Sequence, residues 1–381
     1  MAENPYATSL VANISEATDT PVSIEFTGNT AVYFRIWVVN LCLTLLTLGV
    51  FSAWAKVRKK RYFYASTRID DTPMQYLAQP LPILKGRMVA TLIFGIWWFS
   101  SSFYLPALPW VLGAGLIVAP WIITSSASFN SRYSAWRNLT LKFHGNYLGA
   151  ALTIYWLGLI PLLIYSLMAD PPDLSSAETS IFSPWILQLI ATLAFGILFP
   201  FWLNRLKRYI ATHTSYGGWR VRYGARGGQF FWVYFVAALI VSLGAFLTTP
   251  LFTMMPSLTQ SSIGLVVLSM PFYFSYVFAF AYVRANTTNV VWNNARLGPV
   301  TFRSSLVSTE LFALYVTNAL GIIASAGLAI PWAVMRTMRY RIEHLQARTE
   351  SPFAQFVGDD RSSVHAAAAE TGDFFDLDLS L

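Results

Sequence analysis

Residues 36–62 read IWVVNLCLTLLTLGVFSAWAKVRKKRY, and this stretch decides the fold class. Its first twenty residues, Ile36 to Ala55, carry no charge, and the next six, Lys56 to Arg61, include five cations. About 20 apolar residues are enough for a helix to cross a bilayer core of about 30 Å. Lys and Arg accumulate on the cytoplasmic side of such helices. The stretch therefore predicts a membrane segment with a cytoplasmic basic border.

The composition of the whole chain also indicates a membrane protein. Of its 381 residues, 55% are hydrophobic and only 12% are charged, whereas a soluble domain carries roughly 25% charged residues. This deficit excludes an ordinary globular enzyme. Four further runs contain no charged residue: Val89–Ser131, Leu148–Ala169, Thr179–Asn204 and Gln229–Val283. The first and last of these are long enough for two crossings each, so the four runs predict six spanning helices.

The charged residues predict which loops face the cytoplasm. Three acids, Asp170, Asp173 and Glu178, share one loop that has no Lys or Arg, so we expect this loop outside. The loops expected in the cytoplasm are Lys56–Arg87, Arg132–Lys142, Arg205–Arg226 and Arg284–Arg303. Because the basic loops alternate with loops lacking Lys and Arg, the pattern predicts a multipass protein with one basic, cytoplasmic face.

Both ends of the chain differ from this central part in composition. Residues 1–21 form a polar and acidic leader, and residues 346–381 form a tail that mixes acids with Ser and Ala. Segments with few apolar runs do not bury enough surface to fold, so both ends are predicted to be disordered. The remaining residues, 22–345, are predicted to form one membrane domain.

An internal repeat runs through this domain. A shift of 278 positions places Phe34, Asn40, Gly49, Trp54, Arg58, Arg61 and Tyr62 on Phe312, Asn318, Gly327, Trp332, Arg336, Arg339 and Tyr340. A shift of 147 places Gly49, Arg58, Arg61, Tyr62 and Thr67 on Gly196, Arg205, Arg208, Tyr209 and Thr214. Self-similarity at fixed spacing indicates a repeated structural unit. Each unit is an apolar segment that ends in Arg-x-x-Arg-Tyr, which we call an exit, followed by a short polar piece.

The polar pieces alternate apolar and polar side chains. They read VSIEFTGN (22–29), LTLKFHGN (139–146), WRVRYGARGG (219–228) and VTFRSS (300–305). This period of two is typical of strands. We therefore expect short cytoplasmic β-strands between the membrane segments, and extended loops are the alternative.

The repeat leaves two topologies open for the first and last segments, 34–54 and 312–332. If both crossed the membrane, eight helices would span, and Arg336, Arg339 and Arg341 would lie outside, against the distribution that Lys and Arg usually show. Alternatively, both are re-entrant hairpins that turn near Gly49 and Gly327, with legs of about 10 residues or ~15 Å. We favour the hairpins. The fold class predicted is an all-α polytopic membrane protein of repeated helical hairpins with short strands.

Three motifs carry a resemblance to a known family. They are FTGNTAVYF (26–34), VVNLCLTLLTLGVFSAWAKVRKKRYFYAST (38–67) and ILKGRMVA (83–90). With them the chain resembles the YjgN-like family of bacterial inner-membrane proteins of unknown function, over residues 22–345. The resemblance implies a multipass protein of a bacterial inner membrane. It brings no activity and no functional residue, and the unit at Ala281-Tyr282-Val283-Arg284 departs from the pattern because it lacks the paired arginines.

The candidate binding residues lie at the exits. Basic and aromatic side chains together suit the headgroup layer of a membrane, so we predict binding of anionic phospholipid headgroups or another anion there. The candidates are Arg58, Arg61, Tyr62, Arg205, Arg208, Tyr209, Arg336, Arg339 and Tyr340. Asn40 and Asn318 could line a polar cavity or bond between helices. Glu310 lies near a predicted helix end, which favours an interfacial position over a proton relay.

Two functional hypotheses follow from these features. Repeats, broken hairpins and the paired asparagines favour transport or channelling of a lipid or small solute. The shortage of intramembrane charges favours a noncatalytic membrane scaffold or envelope-stress component. The sequence has no catalytic constellation, no metal-ligand spacing and no cofactor motif, so neither an enzyme nor a cofactor is expected. Membrane lipids are the expected partners. Nucleic acid is not expected, because the positive charge lies along the exits at the membrane border and needs no further partner to account for it.

Overall fold

The computed structural model describes residues 20–158 and 184–350, in which helices predominate. The helices are α1 (Thr30–Leu46), α2 (Ser52–Ser66), α3 (Pro80–Phe103), α4 (Leu108–Tyr133), α5 (Tyr147–Ile154), α6 (Pro184–Thr212), α7 (Gly227–Met254), α8 (Pro256–Thr259), α9 (Ser262–Leu268), α10 (Met270–Asn293), α11 (Ser308–Ala324) and α12 (Ile330–Glu343). Short 3-10 turns lie at Leu105–Ala107 and Trp156–Gly158.

Twelve short strands within the described residues accompany the helices. They are β1 (Thr20–Val22), β2 (Ile24–Phe26), β3 (Thr67–Ile69), β4 (Thr72–Pro73), β5 (Gln75–Tyr76), β6 (Ser134–Trp136), β7 (Leu139–Phe143), β8 (Thr214–Tyr216), β9 (Trp219–Tyr223), β10 (Ala295–Leu297), β11 (Val300–Ser304) and β12 (Leu345–Thr349). All four polar pieces with period-two alternation contain a strand. The expectation of an all-α protein is therefore wrong, because these pieces pair into a large antiparallel sheet.

The strand pairings run in a closed circuit, which we call the strand ring. Nine strands pair in the order β1-β12-β11-β10-β9-β8-β7-β6-β5, and three pair in the order β2-β3-β4. The two groups join at both ends, because only Ser23 separates β1 from β2 and only Met74 separates β4 from β5. The stretch β1–β2 pairs with β12 through β1 and with β3 through β2. The stretch β4–β5 pairs with β3 through β4 and with β6 through β5. Among the described strands the circuit consequently leaves no long unpaired edge, which blunts edge-to-edge association.

Each run of helices between two strands, which we call an excursion, starts at one strand of the ring and returns to the strand beside it. The flanking strands of each excursion are hydrogen-bonded neighbours: β2 with β3 around α1–α2, β5 with β6 around α3–α4, β7 with β8 around α5–α6, β9 with β10 around α7–α10, and β11 with β12 around α11–α12. Since paired strands lie ≈ 4.8 Å apart, each excursion begins and ends on one side of the molecule.

Four helices in the described part of the chain are long and apolar enough to span a membrane, namely α3, α4, α6 and α7. A fifth candidate is the pair α9 and α10, which is bent by 49° at its break. Half of the predicted crossing at Leu148–Ala169, from residue 159 onward, lies outside the described residues, as does the acidic loop that contains Asp170. Three of the four apolar runs thus correspond to helices of spanning length, and the chain is a membrane protein.

The first and last apolar segments each contain a turn. Helix α1 ends at Leu46, Gly49 adopts a φ of +92°, and α2 starts at Ser52. Gly327 has a φ of +93° between α11 and α12. Segments 34–54 and 312–332 are therefore hairpins, and a single continuous helix is excluded. The predicted leg of about 10 residues is wrong, because α1 and α11 have 17 residues each, or ~25 Å.

The strand ring has an apolar face that packs on the helices. Val221 and Tyr223 of β9 lie in one hydrophobic cluster with residues of α6, α7 and α10. Phe26 of β2 packs with α1, α2 and α12, and Tyr76 of β5 packs with α2 and α4. Burial raises the pKa of Tyr216 to about 12, so its hydroxyl stays protonated and donates to the Trp136 carbonyl at 2.8 Å. The opposite face carries the exposed polar side chains of the strands.

The ends of the folded part differ slightly from the predicted domain boundaries. Strand β1 begins at Thr20, and its partner β12 continues to Thr349, four residues beyond the boundary predicted at residue 345. The extension exists because β12 closes the strand ring between β11 and β1. The rest of the leader and of the acidic tail lies outside the described residues.

Candidate functional site

The tyrosine of each Arg-x-x-Arg-Tyr exit binds the residue that begins the first helix of its own excursion. The closest contacts join the hydroxyl of Tyr62 to the Asn29 backbone at 2.7 Å, that of Tyr209 to the Asn146 carbonyl at 2.7 Å, and that of Tyr340 to the Val307 amide at 3.0 Å. Asn29, Asn146 and Val307 are the N-cap residues of α1, α5 and α11. These hydroxyls therefore fasten the two ends of each excursion together.

The Phe-x-Gly-Asn motif explains how the tyrosine comes so close. Asn146 caps α5 by accepting a hydrogen bond from the Gly149 amide at 2.9 Å. A Cβ on Gly145 would lie 2.3 Å from the Phe143 ring and 2.7 Å from the Tyr209 hydroxyl. The glycine before the N-cap therefore leaves space for both rings, and in the first unit Gly28 leaves space for the Phe26 ring and the Met335 side chain.

The second arginine of each exit binds the next excursion along the chain. The hydrogen bonds run from Arg61 to the Ala78 carbonyl at 3.0 Å, from Arg208 to the Ala225 carbonyl at 2.7 Å, and from Arg339 to the Gly28 carbonyl at 3.4 Å. Each acceptor lies two residues before the first residue of α3, α7 or α1. Charge-assisted bonds of this kind are stronger than neutral ones. The last of these bonds connects α12 to the residue that precedes the N-cap of α1.

The exit that lacks paired arginines makes the same link with an amide. Asn289 of α10 donates to the Leu306 carbonyl at 2.9 Å and accepts from the Leu306 amide at 3.0 Å. Leu306 lies two residues before the start of α11, and 17 residues separate it from Asn289, as 17 separate Arg208 from Ala225. At this unit an asparagine therefore takes the place of the second arginine, and the hydrogen bond to the backbone two residues before the next helix is kept.

In the first two exits both arginines are exposed, and in the last exit Arg336 is half-buried and Arg339 is exposed. Arg205 lies over the Trp156 ring at 5.4 Å, and Arg336 lies over the Trp332 ring at 5.3 Å while it donates to the Thr317 hydroxyl at 2.6 Å. A guanidinium over an aromatic face is favourable and leaves other N–H groups available for an anion.

The structure brings two of the three exits together. Tyr62 packs against Met335 of α12, and Arg339 binds Gly28, the residue before the Asn29 that Tyr62 holds. The middle exit is fastened to other elements, through Asn146 and Ala225. Among the nine predicted residues the tyrosines and second arginines therefore bind backbone groups, whereas Arg205 and Arg336 lie over tryptophan rings and Arg336 also donates to Thr317 and Asn318.

The two predicted asparagines bond across their hairpins. Asn40 is buried in α1 and donates to the Ala55 carbonyl at 3.4 Å, and Asn318 is buried in α11 and donates to the Ala333 carbonyl at 3.3 Å. Asn318 also donates to the Thr337 hydroxyl at 3.1 Å. This geometry favours the role of helix-to-helix contact over that of lining a cavity. The Oδ1 atom of Asn40 is buried without a hydrogen-bond partner.

Four arginines on the exposed face of the strand ring form what we call the arginine patch: Arg220, Arg222, Arg296 and Arg303. Arg222 lies directly opposite Arg296 across β9 and β10. Arg296 lies opposite Thr301, whose face also carries Arg303 two residues later. None of the four forms an ion pair with any residue that the structure describes. Sequence reasoning missed this patch, although the alternation in WRVRY indicates that both arginines of β9 share a face.

Acidic groups are few near these sites. Glu310 in the first turn of α11 is exposed, accepts from the Tyr340 hydroxyl at 3.0 Å and lies 3.7 Å from the His344 ring. A carboxylate in the first helical turn is stabilised by the helix dipole. No group of three His, Cys, Asp or Glu side chains that could hold a metal occurs in residues 20–158 and 184–350.

Comparison with known proteins places the chain in a family. The profile of the family described as "Bacterial protein of unknown function (DUF898)" matches residues 21–374. The chain belongs to the DUF898 family. Except for Thr20, the first residue of β1, the strand ring and the five helical excursions lie inside the matched region of this DUF898 protein.

Curated relatives of this DUF898 chain carry the name "Inner membrane protein YjgN". The protein of Salmonella typhimurium is 22% identical over 371 residues, which is 89% of this chain and 91% of the relative. That of Escherichia coli O157:H7 is 23% identical over 54% of each chain, and that of Escherichia coli K12 is 30% identical over 24% of this chain and 22% of the relative. The resemblance to the YjgN-like family is thereby confirmed. No solved structure matches the chain.

Proposed function

We propose that this protein binds anionic phospholipid in the inner membrane and transports or channels it between the two leaflets. The observation that carries the proposal is a spanning helix, α3, whose apolar side chains are exposed over most of its circumference. Supporting observations come from the order of helix contacts and from the first arginines of the exits. A small polar solute is disfavoured, because the exposed surfaces of the spanning helices are apolar.

Helix α3 shows this exposure most clearly. Four consecutive residues, Ile96, Trp97, Trp98 and Phe99, are 49%, 41%, 52% and 57% exposed. Successive residues of an α-helix point about 100° apart, so these four side chains face nearly the whole circle. A helix in a tightly packed bundle buries one face against its neighbours. Apolar surface on both the outer and the inner side of α3 suits acyl chains.

The order of helix contacts supports an enclosed space. Each long helix packs beside its neighbours in the sequence α1, α2, α3, α4, α5, α6, α7, α10, α11 and α12, and α12 packs against α1. Such a closed circuit of helices is compatible with a central space. Under the proposal, lipid occupies this space, and the strand ring lies beneath it on the cytoplasmic side, where basic residues accumulate.

The headgroup would be held by the first arginines at the exits. Arg205 and Arg336 combine a guanidinium with a tryptophan ring, and Arg58 is exposed at the matching position. Guanidinium binds phosphate through two parallel hydrogen bonds, and tryptophan prefers the membrane interface. In this arrangement α1–α2 and α11–α12 are re-entrant hairpins whose exits reach the inner leaflet, and the exits are successive copies of one repeated unit.

Lipid binding can be measured on the purified protein by native mass spectrometry and by quantifying its co-purified phospholipids. We expect the variant that combines Arg205→Gln with Arg336→Gln to lose most of its anionic lipid and keep its zwitterionic lipid. Arg68→Gln on β3 is the matched control, because it removes an exposed arginine from another part of the protein. Equal lipid content in the double variant and the control would contradict the proposal.

Transfer is tested separately in proteoliposomes with a fluorescent anionic phospholipid. The proposal predicts that the intact protein speeds the exchange of labelled lipid between leaflets and that the Arg205→Gln and Arg336→Gln variant does so more slowly. Lipid binding without any exchange would favour the alternative function, a noncatalytic membrane scaffold. The shortage of ionisable side chains in the spanning helices supports that alternative.

A further inference from the structure

The arginine patch contains a like-charge pair with which no residue in 20–158 or 184–350 forms an ion pair. Arg222 and Arg296 are directly opposite on neighbouring antiparallel strands, where side chains lie about 5 Å apart and equal charges repel. Arg220 adds a third guanidinium on the same face of β9, and Arg303 adds a fourth on β11. The other half of the strand ring differs, because Arg68 there lies opposite Glu25. An anionic group is therefore expected to cover the patch.

We propose that the arginine patch binds the acidic C-terminal segment of the same chain, residues 351–381. This segment contains six acids, Asp359, Asp360, Glu370, Asp373, Asp376 and Asp378, and Arg361 is its one strongly basic residue. Its charge is therefore opposite to that of the patch. The interaction does not depend on the lipid function proposed above, since the patch and the exits share no residue.

The covalent connection makes this segment the favoured occupant. Strand β12 ends at Thr349, two residues before the segment begins, and its neighbour β11 carries Arg303. Arg222 lies on β9, three strands from β12, which is about 14 Å at the usual strand spacing. A segment of 31 residues can extend up to ~100 Å, so the whole patch is within reach. Tethering also raises the effective concentration of the segment to roughly the millimolar range.

The spacing of the last acids matches the spacing of the arginines. Asp376 and Asp378 are two residues apart and alternate with Leu377 and Leu379. In an extended backbone, residues two apart lie on one side and about 6.7 Å from each other. Arg220 and Arg222 are related in the same way on β9. Two carboxylates of the segment can thus meet two guanidiniums at once.

Cysteine cross-linking in the full-length protein tests the proposal. In a Cys42→Ala background, which removes the native cysteine, we would combine Ser380→Cys with Thr301→Cys at the patch. The matched control combines Ser380→Cys with Asp71→Cys on the exposed β3–β4 turn. A short bismaleimide is expected to link Ser380→Cys to Thr301→Cys within one chain and to link the control pair much less. Equal yields, or products of twice the mass that show a second copy, would overturn the proposal.

Charge reversal separates docking from a general disturbance of the fold. Arg222→Glu with Arg296→Glu should abolish the link at Thr301→Cys, and adding Asp376→Arg with Asp378→Arg should restore it, whereas Arg68→Glu should change nothing. Failure of the second reversal to restore the link in a monodisperse protein would refute the pairing. Loss of the link on adding anionic phospholipid vesicles, with no effect of tail reversal, would assign the patch to lipid headgroups instead.

Discussion

At the scale of single residues, the tyrosine hydroxyls are the clearest structural determinants. Tyr209 is buried, and its hydroxyl donates to the Asn146 carbonyl at 2.7 Å. Tyr209→Phe removes this hydrogen bond and leaves the carbonyl with the Ala150 amide, which donates to it at 3.1 Å, so we expect the free energy of unfolding to fall by about 1 kcal/mol. Thermal unfolding in detergent measures the change. Tyr276→Phe on an exposed tyrosine is the control, and equal melting temperatures for both variants would contradict the role of Tyr209.

The glycine before the N-cap gives a second prediction at this scale. A Cβ at residue 145 would overlap the Phe143 ring and the Tyr209 hydroxyl, so Gly145→Ala should lower the unfolding free energy by about 1–3 kcal/mol. Gly95→Ala, in open space within α3, should be neutral or slightly stabilising, since alanine favours a helix. The comparison uses the same melting assay. A stable Gly145→Ala variant would show that the two rings can move apart.

Sequence reasoning found these residues but not all of their roles. The repeat marked Arg61 and Tyr62 as special, and their chemistry suggested an anion site. Their hydrogen-bond partners, Ala78 and Asn29, lie 17 and 33 positions away. These hydrogen bonds depend on which helices and strands lie side by side in the fold, and the chemistry of a single residue does not predict that. The first arginines keep the predicted anion role as a proposal.

At the scale of elements, the hairpins depend on their asparagines to different degrees. Asn318 donates to both Ala333 and Thr337 and accepts from Arg336, whereas Asn40 makes one hydrogen bond and leaves Oδ1 without a partner. Asn318→Ala should therefore destabilise the protein by about 1–3 kcal/mol and Asn40→Ala by less. Thermal unfolding of the two variants checks the order. The reverse order would contradict the assignment of Asn318 as the stronger contact.

The sequence predicted the kinds of elements better than their lengths. Period-two alternation identified strands in all four polar pieces, and the glycines near residues 49 and 327 marked the hairpin turns. The legs of the hairpins proved longer than predicted, because α1 begins at the Asn29 cap and α2 runs through the cationic cluster to Ser66. The cationic cluster predicted the end of the helical leg, but Lys and Arg are compatible with a helix when their charged groups can stay in solvent.

At the scale of the whole molecule, strand pairing decides the topology. The sequence left open whether the terminal segments cross the membrane, since a repeat does not specify which strands pair. In the structure β2 pairs with β3 and β11 pairs with β12, so the hairpins α1–α2 and α11–α12 return to the strands that they leave. The closed circuit includes contacts over more than 300 positions, such as Thr20 with Thr349, which no local pattern predicts.

The central claim is that every excursion begins and ends on one side of the membrane. Single cysteines at Lys59→Cys and at Arg341→Cys, each in a Cys42→Ala background, can be labelled with a membrane-impermeant maleimide. The account predicts that both positions react in inverted inner-membrane vesicles and that neither reacts in intact spheroplasts. If the two positions react from opposite sides of the membrane, the common origin of the five excursions at one strand ring is contradicted.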